Sequence, residues 1–288
     1  DDKRPALVTT TLFDRVQVCE DDLGTGATQV TDAIPTTWYV RVMFDELLDP
    51  NIEELVEILD PDTGLGTDQF TGTIAGTNPV SLMCNGVAVA YDGYYSPSGN
   101  SITWPLGPSL VIQPSDTSAV ATGAECTLTL KPEVIVDKDG VAITSGDTGP
   151  YTFKIAPLVL ESTDPAPPED PADPDVVDPA APVVLTFNAT IDPASLAASE
   201  ILLEQVTACD AAAGIERIPA ITQDLTEGGP QTLFISDSAA GADLAFVPET
   251  TYRLTFTDTN EVADLAGGTG AIPGAADLTI CFTTDVAQ

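Results

Sequence analysis

Short runs of Thr, Val and aromatic residues interleaved with polar positions recur in ALVTTTLFD (6–14), TWYVRVMF (37–44), LVEILD (55–60), SLVIQP (109–114), ECTLTLKP (125–132) and YTFKI (151–155), with regular alternation in the last two. Alternation sends successive side chains to opposite faces, so these stretches predict half-buried strands. Gly, Pro, Asn and Asp punctuate the intervals, and long amphipathic helical patterns are absent. Short strands at this spacing predict an all-β chain built as β-sandwiches with short capped turns.

The order of signals then recurs. VMFDELLDPNIEEL (42–55) sets an apolar strand ending in Phe44 before Asp49-Pro50, and VVLTFNATIDPASL (183–196) sets Phe187 before Asp192-Pro193. Another strand follows in each, LVEILD in the first and EILLEQV (200–206) in the second. Each copy closes with an apolar strand, an Asp turn and a terminal strand: CTLTLKPEVIVDKDGVAI to YTFKI (126–155), and TTYRLTFTDTNEVADLAGG to LTICFTT (250–284). Shared order over this length predicts two homologous domains, 1–156 and 157–288. The segment 158–182 reads as a linker by its Pro and Asp content. Position in the repeat argues instead that Leu158 to Thr163 is the first strand of domain two, followed by an acidic, Pro-rich loop.

The second copy keeps Phe, Asp-Pro and the apolar spacing but lacks counterparts of Asp45, Glu46, Glu53 and Glu54, so those acids belong to one copy's surface. Asp49 and Asp192 are expected to cap a single helical turn whose first residue is Pro, where the missing N–H is not needed.

Composition narrows the function. The 288 residues include 45 acids and 9 bases, a formal net charge of −36, with 43% hydrophobic residues. Domain one holds 7 of the bases and 23 of the acids; domain two holds 2 and 22. Such a surface repels nucleic acid and anionic membranes and attracts divalent cations or basic proteins. No histidine is present, which removes Ser-His and Cys-His nucleophile pairs and imidazole metal ligands. No apolar run approaches the length that spans a bilayer. The start, DDKRPALV, is that expected of a processed exported chain, tethered if its precursor carries a lipidated Cys before Asp1.

Five dispersed cysteines, Cys19, Cys84, Cys126, Cys209 and Cys281, form no CxxC motif. In a Thr- and Gly-rich chain they suggest disulfides made in an oxidising compartment. Cys209 with Cys281 is a reasonable pair within domain two. Cys84 with Cys126 is the favoured pair in domain one, with Cys19 to Cys84 as its rival.

The repeated grammar resembles the bacterial Ig-like domain family first recognised in surface-layer proteins. Its pattern runs from a strand ending in Phe through Asp-Pro to a Tyr-x-Leu strand, an Asp-x-x-Gly turn and a final Phe-x-Thr strand. Domain two matches with LTFNATIDPASL, Tyr252, Asp264, Gly267 and Phe282. Domain one matches more loosely, with Cys126 at the Tyr position, Asp139-Gly140 in the turn and Phe153 in the last strand. The resemblance implies two tandem Ig-like sandwiches in an extracellular or cell-surface protein, a spacer, adhesion module or assembly subunit with no catalytic residues to carry over.

Other chemistry can be placed on the chain. DPDTG (60–64), DKDG (137–140) and DTNE (258–261) space oxygen ligands around turns as hard-cation loops do, so Ca²⁺ at Asp60 and Asp62, Asp137 and Asp139, or Asp258 and Asn260 is a candidate. None continues to a distal bidentate Glu. A glycosidase needs two carboxylates across a cleft, and in so acidic a chain a pair somewhere is expected by chance. YDGYYSPSGNSITWP (91–105) lies in an insertion between Phe70 and Trp104. The favoured reading is that Trp104 and some of the Tyr rings plug the sandwich while Gly and Pro shape a hairpin; the alternative makes Tyr91, Tyr94, Tyr95 and Trp104 a contact surface for protein or glycan. The expectation is a non-enzymatic, exported structural or assembly component whose partners are other protein subunits or copies of itself. The competing expectation is a monomeric, N-terminally tethered binding module for protein or carbohydrate.

Overall fold

A computed structural model describes residues 16–20, 38–44, 46–49, 52, 56–59, 66–71, 79–96, 108–143, 148–223, 231–238, 246–256, 261–272 and 278–286. The chain divides into two compact units, Asp1–Ala156 and Pro157–Gln288.

In the first unit the strands are β1 (Val16–Glu20), β2 (Trp38–Met43), β3 (Val56–Leu59), β4 (Gly66–Thr71), β5 (Val80–Cys84), β6 (Val87–Ala88), β7 (Tyr91–Ser96), β8 (Ser109–Pro114), β9 (Glu125–Leu130) and β10 (Tyr151–Lys154). They form one sheet in the order β1-β2-β8-β7-β4-β3 and another in the order β10-β9-β5-β6. The core lies between them: Trp38, Val40, Val42, Leu110 and Ile112 from the first sheet meet Val80, Leu82, Cys126, Leu128 and Leu130 from the second. Trp38 is fully buried and meets Phe153 edge-on, ring centroids 5.0 Å apart.

The second unit comprises β11 (Leu160–Asp164), β12 (Asp175–Val177), β13 (Val183–Phe187), β14 (Ile201–Val206), β15 (Ile215–Arg217), β16 (Pro219–Thr222), β17 (Thr232–Asp237), β18 (Thr251–Phe256), β19 (Glu261–Ala263), β20 (Thr269–Ala271) and β21 (Thr279–Thr284). Its sheets run β11-β13-β17-β16 and β12-β21-β18-β14-β15, with β19 and β20 as a separate hairpin. Leu185, Phe187, Leu233 and Ile235 face Leu203, Tyr252, Leu254, Ile280 and Phe282 across the core. Alternating burial along β13 and β18 follows from their alternating sequences, VVLTF and TYRLTF.

Superposing the two strand orders pairs β1 with β11, β2 with β13, β8 with β17, β7 with β16, β10 with β21, β9 with β18, β5 with β14 and β6 with β15. The units therefore share one topology, which corrects the correspondence read from sequence. LVEILD does not occupy the place of EILLEQV, because β3 lies at the far end of the other sheet, while β5 stands beside β9 as β14 stands beside β18. Both segments follow the Asp-Pro turn, but a β3–β4 hairpin intervenes in unit one and extends its first sheet beyond β7. The extra structure of unit one thus includes 56–71, ahead of most of the insertion expected between Phe70 and Trp104.

The Pro-rich segment also holds more than a first strand and a loop. β12 pairs in parallel with β21, Val176 opposite Thr283, so the chain leaves one sheet after β11, contributes to the other, and returns as β13. Phe246 N–H donates to the Pro179 carbonyl at 2.8 Å and Asp285 N–H to that of Val177 at 2.9 Å, which holds the segment down. Asp170 and Asp178 each accept, through Oδ1, the amide two residues on, at 2.9 and 2.8 Å, so these carboxylates order the loop they sit in.

Candidate functional site

The Asp-x-x-Gly turns are the clearest repeated polar structure. Asp137 is 3% exposed, and its Oδ1 accepts from the amides of Asp139 and Val141, both at 2.8 Å. Asp264 is 5% exposed and accepts from Ala266 and Gly268 at 2.9 and 2.8 Å. Gly140 and Gly267 follow with φ of +79° and +88°, a region where a Cβ is disfavoured. Each turn is docked on the Asp-Pro turn of its own unit. Leu48 bridges Asp137 and Ile191 bridges Asp264; Asp49 N–H donates to Val136 and Asp192 N–H to Ala263, both at 2.9 Å. Asp192 caps the 3-10 turn Pro193–Ser195 as its sequence predicts, accepting from Ala194 N–H at 2.9 Å.

Of the calcium candidates, Asp137 is therefore engaged by amides inside its turn, and Asp139 is exposed. Asp60, Asp62, Asp258 and Asn260 lie outside the described residues. Among the described residues, no three His, Cys, Asp or Glu side chains converge to hold a metal ion.

Two of the aromatic candidates take the core-plugging place favoured in the sequence rather than forming a contact surface. Tyr91 and Tyr95 are buried in the core of unit one, at 5% and 9% exposure. The physical reason lies in the phenol: its ring fills the apolar interior while its hydroxyl satisfies backbone groups. Tyr91 Oη donates to the Val80 carbonyl at 3.1 Å, tying β7 in one sheet to β5 in the other, and Tyr95 Oη accepts from Leu48 N–H at 2.9 Å. Burial pushes the Tyr91 phenol up to about 12, partly offset by the bond to Val80. Tyr94 lies in β7, and Trp104 is outside the described residues.

The cysteines pair as Cys84–Cys126 and Cys209–Cys281, one bridge in each unit. The rival pairing of Cys19 with Cys84 is excluded; Cys19 lies in β1 opposite Tyr39, its side chain outside the described residues. Two bridges fit an oxidising environment. Among the described residues no helix is long and apolar enough to cross a membrane.

Polar groups organise unit two, and apart from Tyr252 they were not singled out in the sequence. Asp237, fully buried at the end of β17, accepts at Oδ2 from Arg217 Nε at 2.7 Å and from Tyr252 Oη at 3.1 Å. Tyr252 Oη also accepts from Val247 N–H at 3.0 Å, closing a corner over the start of β18. Burial raises the Tyr252 phenol, with the bond to Val247 opposing and the Asp237 carboxylate adding to the rise. On the sheet's outer face, Arg253 Nη2 and Nε reach Glu204 Oε2 at 2.6 and 3.1 Å, and the guanidinium holds the Glu204 carboxyl below its ordinary range. Arg217 and Arg253 are the only bases of unit two, so both are committed to internal ion pairs. That scarcity was the available signal: two cations among many acids are each expected to find an anion.

Compared with known proteins, the chain matches no protein-family model and no curated protein.

Proposed function

We propose that the chain is a non-enzymatic, exported structural component of a bacterial surface or extracellular assembly, built from two immunoglobulin-like sandwiches. The observation that carries this reading is the structural repeat: two units of one topology, each with its own Asp-x-x-Gly turn docked on an Asp-Pro turn and each with its own disulfide. Repetition of a self-contained, cross-linked module suits a load-bearing or spacing role. In unit two the order β11-β13-β17-β16 against β21-β18-β14-β15 is that of the A-B-E-D and G-F-C-C′ sheets of immunoglobulin domains, and the Tyr252 corner occurs where that fold places one. Disulfides support export, and a net charge of −36 supports cationic or cation-bridged partners over nucleic acid.

Negative-stain microscopy and light scattering of material taken from its native source test the reading. Regular polymers or stable multimers are expected; monodisperse single chains at every concentration and ionic strength would overturn assembly in favour of a tethered binding module.

A further inference from the structure

The two disulfides differ in what surrounds them. Cys84 and Cys126 lie directly opposite one another on β5 and β9, and both sulfurs belong to the main core of unit one. Cys281 lies between Ile280 and Phe282, which face the core of unit two, so its own side chain points to the opposite, outer face of the sheet. There Cys209, Cys281 and Val206, with Ala211 against them, form a small cluster separate from the main core. Strand register sets Glu204, Arg253 and Cys281 in one row across that face. The loop 207–214 folds back over the row. Arg253 Nη1 donates to the carbonyls of Cys209 and Ala211, and Gly214 N–H donates to Glu204 Oε1 at 3.0 Å. Gly214 sits so close that a Cβ there would come within 2.6 Å of the Gln205 carbonyl.

We propose that Cys209–Cys281 is a redox-operated latch for this loop, one that opens without opening the sandwich. A loop held by a few bonds opens locally at much lower cost than a strand pair inside a core, so an attacking thiolate reaches Cys209 while the sheets stay intact. A dithiol reductant supplies the chemistry. One thiolate attacks Sγ of Cys209 and expels the Cys281 thiolate; the second thiolate attacks the mixed disulfide at the reductant's own sulfur and expels the Cys209 thiolate. Two electrons pass from the reductant, which leaves as a disulfide, and the two cysteines each take up a proton. The released loop uncovers Val206 and the Glu204–Arg253–Cys281 row, a different outer surface from that of the oxidised protein. Opening Cys84–Cys126 requires parting β5 from β9 within the core, so that bridge remains closed under the same treatment.

The test is graded dithiothreitol on the folded full chain, quenched with iodoacetamide and mapped by peptide mass, alongside hydrogen exchange. Cys209 and Cys281 are expected to become alkylated at least about tenfold faster than Cys84 and Cys126, with amides of 207–214 losing protection and those of β13 and β17 keeping theirs. Equal or earlier labelling of Cys84 and Cys126, or loss of protection through β13 and β17, overturns the proposal. A doubly substituted Cys209→Ser, Cys281→Ser chain is expected to fold with its core protection unchanged, and failure to fold overturns it too.

Discussion

Asp137 and Asp264 perform the same task in the two units: each buried carboxylate accepts two amides of its own turn through one oxygen. Replacing either with Ala leaves those amides without their acceptor, while the backbone bridge of the turn to Leu48 or Ile191 remains. The expected cost is about 1–3 kcal/mol, confined to the unit that carries the change. Asn keeps a carbonyl oxygen in place and recovers most of it. Chemical denaturation of the four variants measures this. Because the partners are amides, the loss in Asp137→Ala is expected to be equal in chelator and in millimolar Ca²⁺; a loss seen only with Ca²⁺ would make Asp137 a ligand.

Tyr252→Phe is expected to destabilise unit two by about 1–3 kcal/mol, since the ring stays while a fully buried Asp237 loses one donor and Val247 N–H its acceptor. Tyr91→Phe has a counterpart role in unit one, at the Val80 carbonyl. Position 126, equivalent to Tyr252, holds a disulfide cysteine there, so the hydroxyl tie between the sheets comes from β7 instead. A Tyr252→Phe variant as stable as the parent in urea would show that the corner contributes packing alone.

How far the sequence reveals this follows from periodicity. β9 and β10 were legible because apolar and polar residues alternate in ECTLTL and YTFK, and β2, β8 and β14 because they are short apolar runs between turn signals. β12, β15 and β16 were not: they have three or four residues, none of them buried, and pairing with a neighbour rather than burial makes them strands. The β3–β4 hairpin misled the comparison of the copies because LVEILD carries the right pattern in the wrong place. Among side chains, Asp264 follows from order along the chain. The matching acceptor in unit one is Asp137 rather than the Asp139 read beside Gly140, because both aspartates precede that glycine and only Asp137 is buried in the turn. The disulfide partners are those favoured in the sequence, where order alone left Cys19 as a rival for Cys84. Asp237 does not follow from order, because FISDSAA gives no sign that its aspartate ends inside. Tyr91 and Tyr95 are the opposite case, since ring plugging was the reading favoured for their stretch and both rings are buried.

The tyrosines also set the behaviour in alkali. A phenol whose folded value lies above its unfolded value of about 10 binds its proton more tightly in the folded state, so its contribution is complete below pH 10 and is lost as pH rises toward the folded value. For Tyr91, pushed up to about 12, the window is pH 10 to 12 and the loss is up to about 3 kcal/mol. Tyr252 adds to it in the same direction. Urea unfolding from pH 9 to 12 should fall steeply in the parent and less steeply in Tyr91→Phe. A parallel slope in the two would mean that Tyr91 ionises in the folded state as freely as in the unfolded one.

Acid acts through the other unit's outer face. The Arg253 guanidinium favours the ionised form of Glu204, so the folded value lies below the unfolded one; stability from this pair is complete above the ordinary glutamate value of 4.5 and is lost as pH falls through the depressed folded value. Glu204 also accepts from Gly214, and Arg253 holds the carbonyls of Cys209 and Ala211, so protonation loosens the loop 207–214 before it affects the core. Hydrogen exchange at pH 3 and pH 6, corrected for intrinsic rates, is expected to show greater opening of 207–214 at the lower pH in the parent. Glu204→Gln should remove this pH dependence while already exchanging faster at pH 6. Loss of protection at pH 3 that begins in β13 and β17 would instead place the first acid-sensitive contact inside the sandwich.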